Sequence, residues 1–371
     1  MTKSTDLLPE GLEDRLPIAA KRITLAMRAC LDVLDAHGFD RVRPPLLEFE
    51  SSLASRMDGI ETRRMFRMTD PASLRTLALR SDITPQIGRI AATSMKDAPR
   101  PLRLAYCGDT AVMKSSQLDP ARERLQLGGE LIGSDTAAAA GEIVAVALEA
   151  LRKAGLSGLS VDFTMPDLVD TLGKQDRSLS ASSLDAIRRE LDTKDAGGLK
   201  AVGGEAYLPL LYATGPFSDA LTKLRELDPA GALSTRLDGL EEIAGRIPDD
   251  IRVTLDPTER HGFEYQSWFG FTIYAENVRG AAGRGGTYVI GGTDEVATGF
   301  TLYVNRMADA APVPENAGWV IYLEKGYDVE TVKVAHGQGH RTIAQLSANE
   351  DPVSFGATHI MRGNKVEPIS S

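Results

Sequence analysis

From Tyr106 to Gly133 the chain reads "YCGDTAVMKSSQLDPARERLQLGGELIG", and this stretch decides what kind of sheet the protein builds. Pro101 to Gly108 reads as one strand, a charged and turn-rich segment follows, and Arg124 to Ile132 reads as the antiparallel mate. Gln126 and Glu130 lie four residues apart in that second strand, so both side chains project from one face. The arrangement is that of a hairpin built to grip a charged ligand. Val112 and Met113, however, stand on the first strand where such a hairpin would carry a cation.

Upstream, Ile23, Met27, Cys30 and Leu34 recur at helical spacing between Ile18 and His37, and Gly38 supplies a left-handed stop. The Pro44–Pro45 pair then fits neither a helix nor a central strand. Short strands are expected around "MFRMTDP" and "RTLALRSD", followed by a helix that opens after Thr84 with Pro85 in its first turn. Downstream of the hairpin an amphipathic helix runs from Ala137 to Ala154 and closes at Gly155. Between Pro166 and Arg246 strand signals vanish, and helical patterns broken by Gly and Pro take over. Strands resume at "IRVTLD", "GFEYQSWFGFTIYAE" and "GGTYVIGG". Gly280 to Gly286 is expected as a hairpin loop, Gly299 to Met307 as a last helix, and a small βαβ-like tail from Trp319 onward.

Composition narrows the functional classes. With 42 Lys+Arg against 52 Asp+Glu the formal charge is −10, and no basic block is present to neutralise a run of phosphates. No nucleic-acid partner is therefore expected. No stretch approaches about 18 consecutive apolar residues and the N-terminus lacks an apolar leader core, so no membrane role is expected either. Two cysteines, Cys30 and Cys107, are too few for a disulfide framework, which fits a reduced, cytoplasmic location. His336 and His340 in "HGQGH" have the i, i+4 spacing of metal ligands, but glycines flank both and no third ligand is evident. The "GAAGRGG" run lies between strands without a following Lys-Ser/Thr, so it reads as a turn and not as a phosphate loop. Neither a metal nor a cofactor is expected.

Three separated stretches together resemble the catalytic core of class II aminoacyl-tRNA synthetases, most closely histidyl-tRNA synthetase. "GFDRVRPPLLE" is similar to the dimer-forming first motif, "RLQLGGE" to the strand after the second, and "GFTLYVNR" to the third. The resemblance runs from about Leu8 to Met307. It implies an α+β fold: an antiparallel sheet flanked by helices, with an all-helical insertion and a small C-terminal α/β tail. Residues 1–164 and 250–312 would be the two parts of the core, 165–249 the insertion and 313–371 the C-terminal domain. "LLPEGLEDRLP" and "LRSDITPQIGRIAAT", with only 371 − 306 = 65 residues beyond Arg306 and no basic stripe among them, narrow the match. They are similar to the regulatory subunits of ATP phosphoribosyltransferase, synthetase paralogues of histidine biosynthesis.

The resemblance assigns roles position by position. Asp82 stands where an acid meets the substrate's α-amino group, and Thr84 follows it. Gln126 and Glu130 stand where the amino group and imidazole of histidine are contacted, and Tyr265 and Tyr288 where aromatics flank the ring. The nucleotide side departs from the pattern. Val112 and Lys114 replace an Arg and a Glu, His261 falls on the catalytic arginine unless the register slips to Arg260, and Thr287 replaces another arginine. Arg306 survives, but Tyr303 replaces a glycine that leaves room for adenine, and Gln266 replaces a second tyrosine. The implied protein has no catalytic residues. It forms a two-fold homodimer through Ile18 to Glu48, partners a short-form ATP phosphoribosyltransferase catalytic subunit, and responds to histidine as effector. A histidine-activating ligase for a non-tRNA acceptor and a free-standing histidine sensor are the alternatives; the missing cations oppose the first, and co-purification separates the second.

Overall fold

A computed structural model describes residues 7–55, 65–114, 120–174, 180–260, 266–311 and 318–369. The chain divides into two compact units, Met1–Ala311 and Pro312–Ser371. The larger unit begins with α1 (Pro17–Ala36), β1 (Asp40–Arg41), β2 (Leu47–Phe49), α2 (Glu50–Ala54), β3 (Arg67–Thr69), β4 (Thr76–Leu79) and α3 (Thr84–Ala92). The hairpin β5 (Leu102–Ala111) and β6 (Glu123–Ile132) leads into α4 (Ala137–Lys153) and β7 (Ser160–Thr164). Next come α5 (Leu168–Gly173), α6 (Ala181–Asp192), α7 (Ala196–Ala201), β8 (Gly215–Pro216), α8 (Phe217–Leu227) and α9 (Ser234–Ala244). The unit closes with β9 (Arg252–Leu255), β10 (Gln266–Tyr274), β11 (Gly283–Val289), β12 (Val296–Tyr303) and α10 (Val304–Ala310).

Nine strands form one sheet in the order β1-β5-β6-β12-β11-β10-β7-β9-β8. Only the β1/β5 and β7/β9 pairs in it are parallel. Helix α1 turns Ala26, Cys30, Val33 and Leu34 inward, and Gly38 ends that stretch at φ +75°. Helix α4 is capped by Thr136, whose Oγ1 accepts from the Ala139 N–H at 3.2 Å, and carries Arg152 and Lys153 against its negative end. Its small inward residues Ala140, Val144 and Ala147 are fully buried, so the helix lies close on the sheet. Among the described residues no helix is long and apolar enough to cross a membrane.

Among the described residues of 165–249 the regular elements are helices apart from β8, which the sequence did not announce. Pro216 sits there on the outer edge strand of the sheet, where its missing N–H interrupts no ladder. Ile187, Leu191, Leu199, Leu224, Leu240 and Ile243 from this stretch share one apolar cluster with Phe163, Phe269 and Phe271 of the sheet. Phe163 meets Phe217 edge-on at 5.7 Å and Phe269 at 5.1 Å between centroids.

Two expectations are corrected. Gly299 to Tyr303 is strand, with a helix only from Val304, because β12 pairs with β6 on one side and β11 on the other in the middle of the sheet. The glycines at 283, 285 and 286 belong to β11, and the turn before them ends earlier. The neighbours across the strands, described below, demand residues without side chains there. The smaller unit runs β13 (Val320–Leu323), α11 (Val329–Gly337), β14 (Arg341–Ala344), β15 (His359–Arg362) and β16 (Lys365–Pro368), its sheet ordered β14-β13-β15-β16. Strand β13 is parallel to both β14 and β15, which makes the expected βαβ turn of chain.

Candidate functional site

Sheet register builds the site. Glu130 on β6 lies opposite Gly299 on β12, Gly299 opposite Gly286 on β11, and Gly286 opposite Gly270 on β10. Three glycines in a row across adjacent strands thus make a trough that ends at a carboxylate. A Cβ on Gly299 would fall inside the Glu130 carboxylate, and one on Gly286 would strike the Phe269 carbonyl. The neighbouring row carries Thr301 opposite Arg284, and beyond it Gln126 lies opposite Tyr303. Asp82 and Thr84, at the start of α3, close the trough from above. Gly299→Ala is therefore expected to cost about 1 to 3 kcal/mol or more through overpacking, read as a lower urea midpoint at an unchanged slope.

The polar groups in the trough hold one another. Asp82 Oδ1 accepts from the Thr84 N–H and from Gln126 Nε2, both at 2.9 Å. Gln126 Oε1 accepts from the Ile83 N–H at 2.9 Å, while Nε2 also donates to Thr301 Oγ1 at 3.1 Å. Glu130, 1% exposed, accepts from Tyr288 at 2.9 Å, Thr84 at 3.2 Å and Tyr106 at 3.3 Å, all through hydroxyls. Burial pushes its carboxyl up to about 8, against the pull of the Tyr288 hydrogen bond. Burial likewise raises the Tyr106 phenol, with the Glu130 charge adding to it. Tyr106 was not singled out from the sequence; its ring lies over Gly128, and its hydroxyl is 2.7 Å from Thr301 Oγ1.

The structure brings Asp82, Thr84, Gln126, Glu130 and Tyr288 into one cavity, whose walls also include Gln266, Arg284, Thr301 and Tyr303. Its free space is about 30 Å³, room for about two water molecules. A ligand as large as an amino acid enters only if the lining yields. Tyr265 and His261 lie outside the described residues.

On the nucleotide side, Val112 is buried at the end of the hairpin and Lys114 is exposed. Thr287 faces away from the cavity. Its Oγ1 accepts from Ser267 Oγ at 2.7 Å and from the Phe269 N–H at 3.2 Å, holding the irregular register of β10 between Gln266 and Gly270. Arg260 is not in the cavity wall; its backbone N–H donates to Asp192 Oδ1 at 2.9 Å. Arg306 donates to the Ala281 carbonyl at 3.0 Å. The Tyr303 ring lies between two guanidinium groups, Arg306 at 5.0 Å and Arg124 at 6.0 Å from its centroid.

Behind the pocket, Arg80 is 6% exposed and ties three segments together. It donates to the Asp109 carbonyl at 2.7 Å and the Pro44 carbonyl at 3.1 Å, while its neighbour Gln86 donates to Glu48 Oε2 at 2.8 Å. In the smaller unit, His340 Nδ1 accepts from the Trp319 N–H at 3.1 Å, and His336 Nε2 is 2.9 Å from Thr342 Oγ1.

The sequence and the fold have counterparts among known proteins. The histidyl-tRNA synthetase family profile matches residues 11–307. A regulatory subunit of ATP phosphoribosyltransferase from Paramagnetospirillum magneticum is 39% identical over 95% of this chain and 94% of its own length. The chain belongs to the ATP phosphoribosyltransferase regulatory subunit family. A second relative of that name, from Rhodospirillum centenum, is 36% identical over 100% of this chain and 98% of its own. The crystal structure of an ATP phosphoribosyltransferase regulatory subunit/histidyl-tRNA synthetase from Bacillus halodurans C superposes with a TM-score of 0.81 at 25% identity, covering 96% of this chain and 97% of that one. This regulatory-subunit family thus keeps the class II synthetase fold.

Proposed function

We infer that this chain works as the non-catalytic regulatory subunit of an ATP phosphoribosyltransferase, joins a short-form catalytic subunit, and takes histidine into the Asp82–Glu130 pocket as feedback effector. The observation that carries the reading is the divided state of the site. The wall of Asp82, Thr84, Gln126, Glu130 and Tyr288 is assembled, whereas Tyr303 fills the slot between Arg124 and Arg306. Adenylation needs cations arranged around a growing negative charge, and losing one such donor costs about 3 kcal/mol. Buried Val112 offers none.

A chain without reacting groups acts on its partner only through a coupling free energy, typically about 1 to 3 kcal/mol. Feedback requires an effector site whose affinity differs between two states. A pocket with about 30 Å³ of free space, which must open to admit its ligand, supports that reading. Arg80 and Gln86 join the pocket helix to the Pro44 to Glu48 segment, part of the Ile18 to Glu48 stretch that we assign to a two-fold dimer contact. Light scattering after size exclusion is expected to give a dimer for the chain alone and a larger, co-eluting complex with a short catalytic chain. A monomer at micromolar concentration contradicts the dimer; two separate peaks contradict the regulatory assignment.

A further inference from the structure

The lining of the pocket contains a cation that neither the motifs nor the family assignment accounts for. Arg284 sits on β11 two residues before Gly286, so strand alternation turns it to the same face as Gly286 and Tyr288, into the cavity. Among the described lining residues the acids are Asp82 and Glu130, and the one strong base is Arg284. The resemblance expects an arginine three residues later, at Thr287, whose side chain points away to hold the β10 irregularity.

We propose that Arg284 is the specificity-determining residue that receives the α-carboxylate of the pocket's amino-acid ligand, with Asp82 facing its ammonium group and Glu130 its side chain. The proposal rests on the reading of this cavity as an amino-acid pocket and adds the end of the ligand which that reading leaves without a partner.

Position supports the division of labour. Arg284 lies two strands from Glu130 and one row along the trough, which places their Cα atoms about 12 Å apart at ordinary strand spacing and rise. Both side chains line the same cavity, together with Asp82. Tyr303 lies one row further along the trough, opposite Gln126, and also lines the cavity. Both Arg284 and Asp82 act electrostatically on its phenol, Arg284 lowering and Asp82 raising a group that burial has already pushed up. An arginine there is chemically apt, because its planar fork pairs with both oxygens of a carboxylate and stays charged throughout the physiological range. The glycines at 285 and 286 line the cavity beside it.

The test is calorimetric titration of the full-length chain with L-histidine and with L-histidinamide, which keeps the ammonium and imidazole but lacks the carboxylate. Wild type is expected to bind the amide about 10- to 100-fold more weakly than the acid, the worth of one hydrogen-bonded charge pair. In Arg284→Gln the affinity for histidine should fall to the level of the amide, bringing the ratio near one, and Arg284→Lys should restore part of it. Equal affinity of wild type for the two ligands overturns the proposal without any variant. A large ratio that survives in Arg284→Gln overturns it and leaves the amino-acid pocket standing. Binding of neither ligand by wild type overturns both.

Discussion

Replacing Glu130 by glutamine is expected to remove a pH dependence of stability that wild type shows between about pH 4.5 and 8. The carboxyl has no solvent to stabilise its charge, and the three hydroxyls of Tyr288, Thr84 and Tyr106 only partly replace it. Its folded value of about 8 stands above the ordinary carboxyl value of 4.5. In that window the folded protein therefore holds a proton that the unfolded chain has lost. Glu130's contribution is fully present below the lower value, declines by up to about 1.4 kcal/mol per pH unit as pH rises, and levels off above the upper one. Glutamine has nearly the same shape, accepts a hydrogen bond from Tyr288, and does not titrate. Urea unfolding at pH 5.5, 7 and 8.5 should thus show wild type losing stability relative to Glu130→Gln at each step, with the variant gaining most at the highest pH. Parallel curves would mean that the carboxylate is charged in the folded protein, and the site would then need a compensating cation beside it.

Much of the architecture is legible in local pattern. Helix α1, the β5/β6 hairpin and α4 follow from apolar spacing and from Gly38 and Gly155 as stops, because each element's inward face repeats at its own period. The strands β11 and β12 were harder. Glycine weakens a strand and marks turns, so "GRGG" reads locally as a loop. Its reason is non-local: Gly299 makes room for Glu130, 169 positions earlier in the chain by 299 − 130, and Gly286 approaches the Phe269 backbone. The same applies to the site. Gln126 and Glu130 share a face by simple alternation, but that Tyr106 leans over Gly128 to reach Thr301 depends on pairing that no single strand reveals. Arg284 was readable in principle, since residues 284, 286 and 288 alternate on one face with Tyr288. The glycine run disguised the strand and hid the arginine with it. Thr287 shows the converse error, a position matched by motif whose side chain faces the other way.

The rate at which a short-form catalytic chain condenses ATP with phosphoribosyl pyrophosphate, measured with and without this chain, weighs most heavily on its assignment as a regulatory subunit. Coupling of ordinary size predicts stimulation of about 5- to 150-fold, with no reacting group supplied by this chain. Histidine should then suppress the stimulated rate, and Asp82→Ala and Glu130→Ala should each weaken that suppression relative to their own uninhibited rates, because the former removes the partner of the Thr84 N–H and Gln126, and the latter the acceptor shared by three hydroxyls. Stimulation that histidine reverses in wild type, and reverses poorly in both variants, is the predicted result. A catalytic chain whose rate is the same with and without this protein would contradict the regulatory assignment itself.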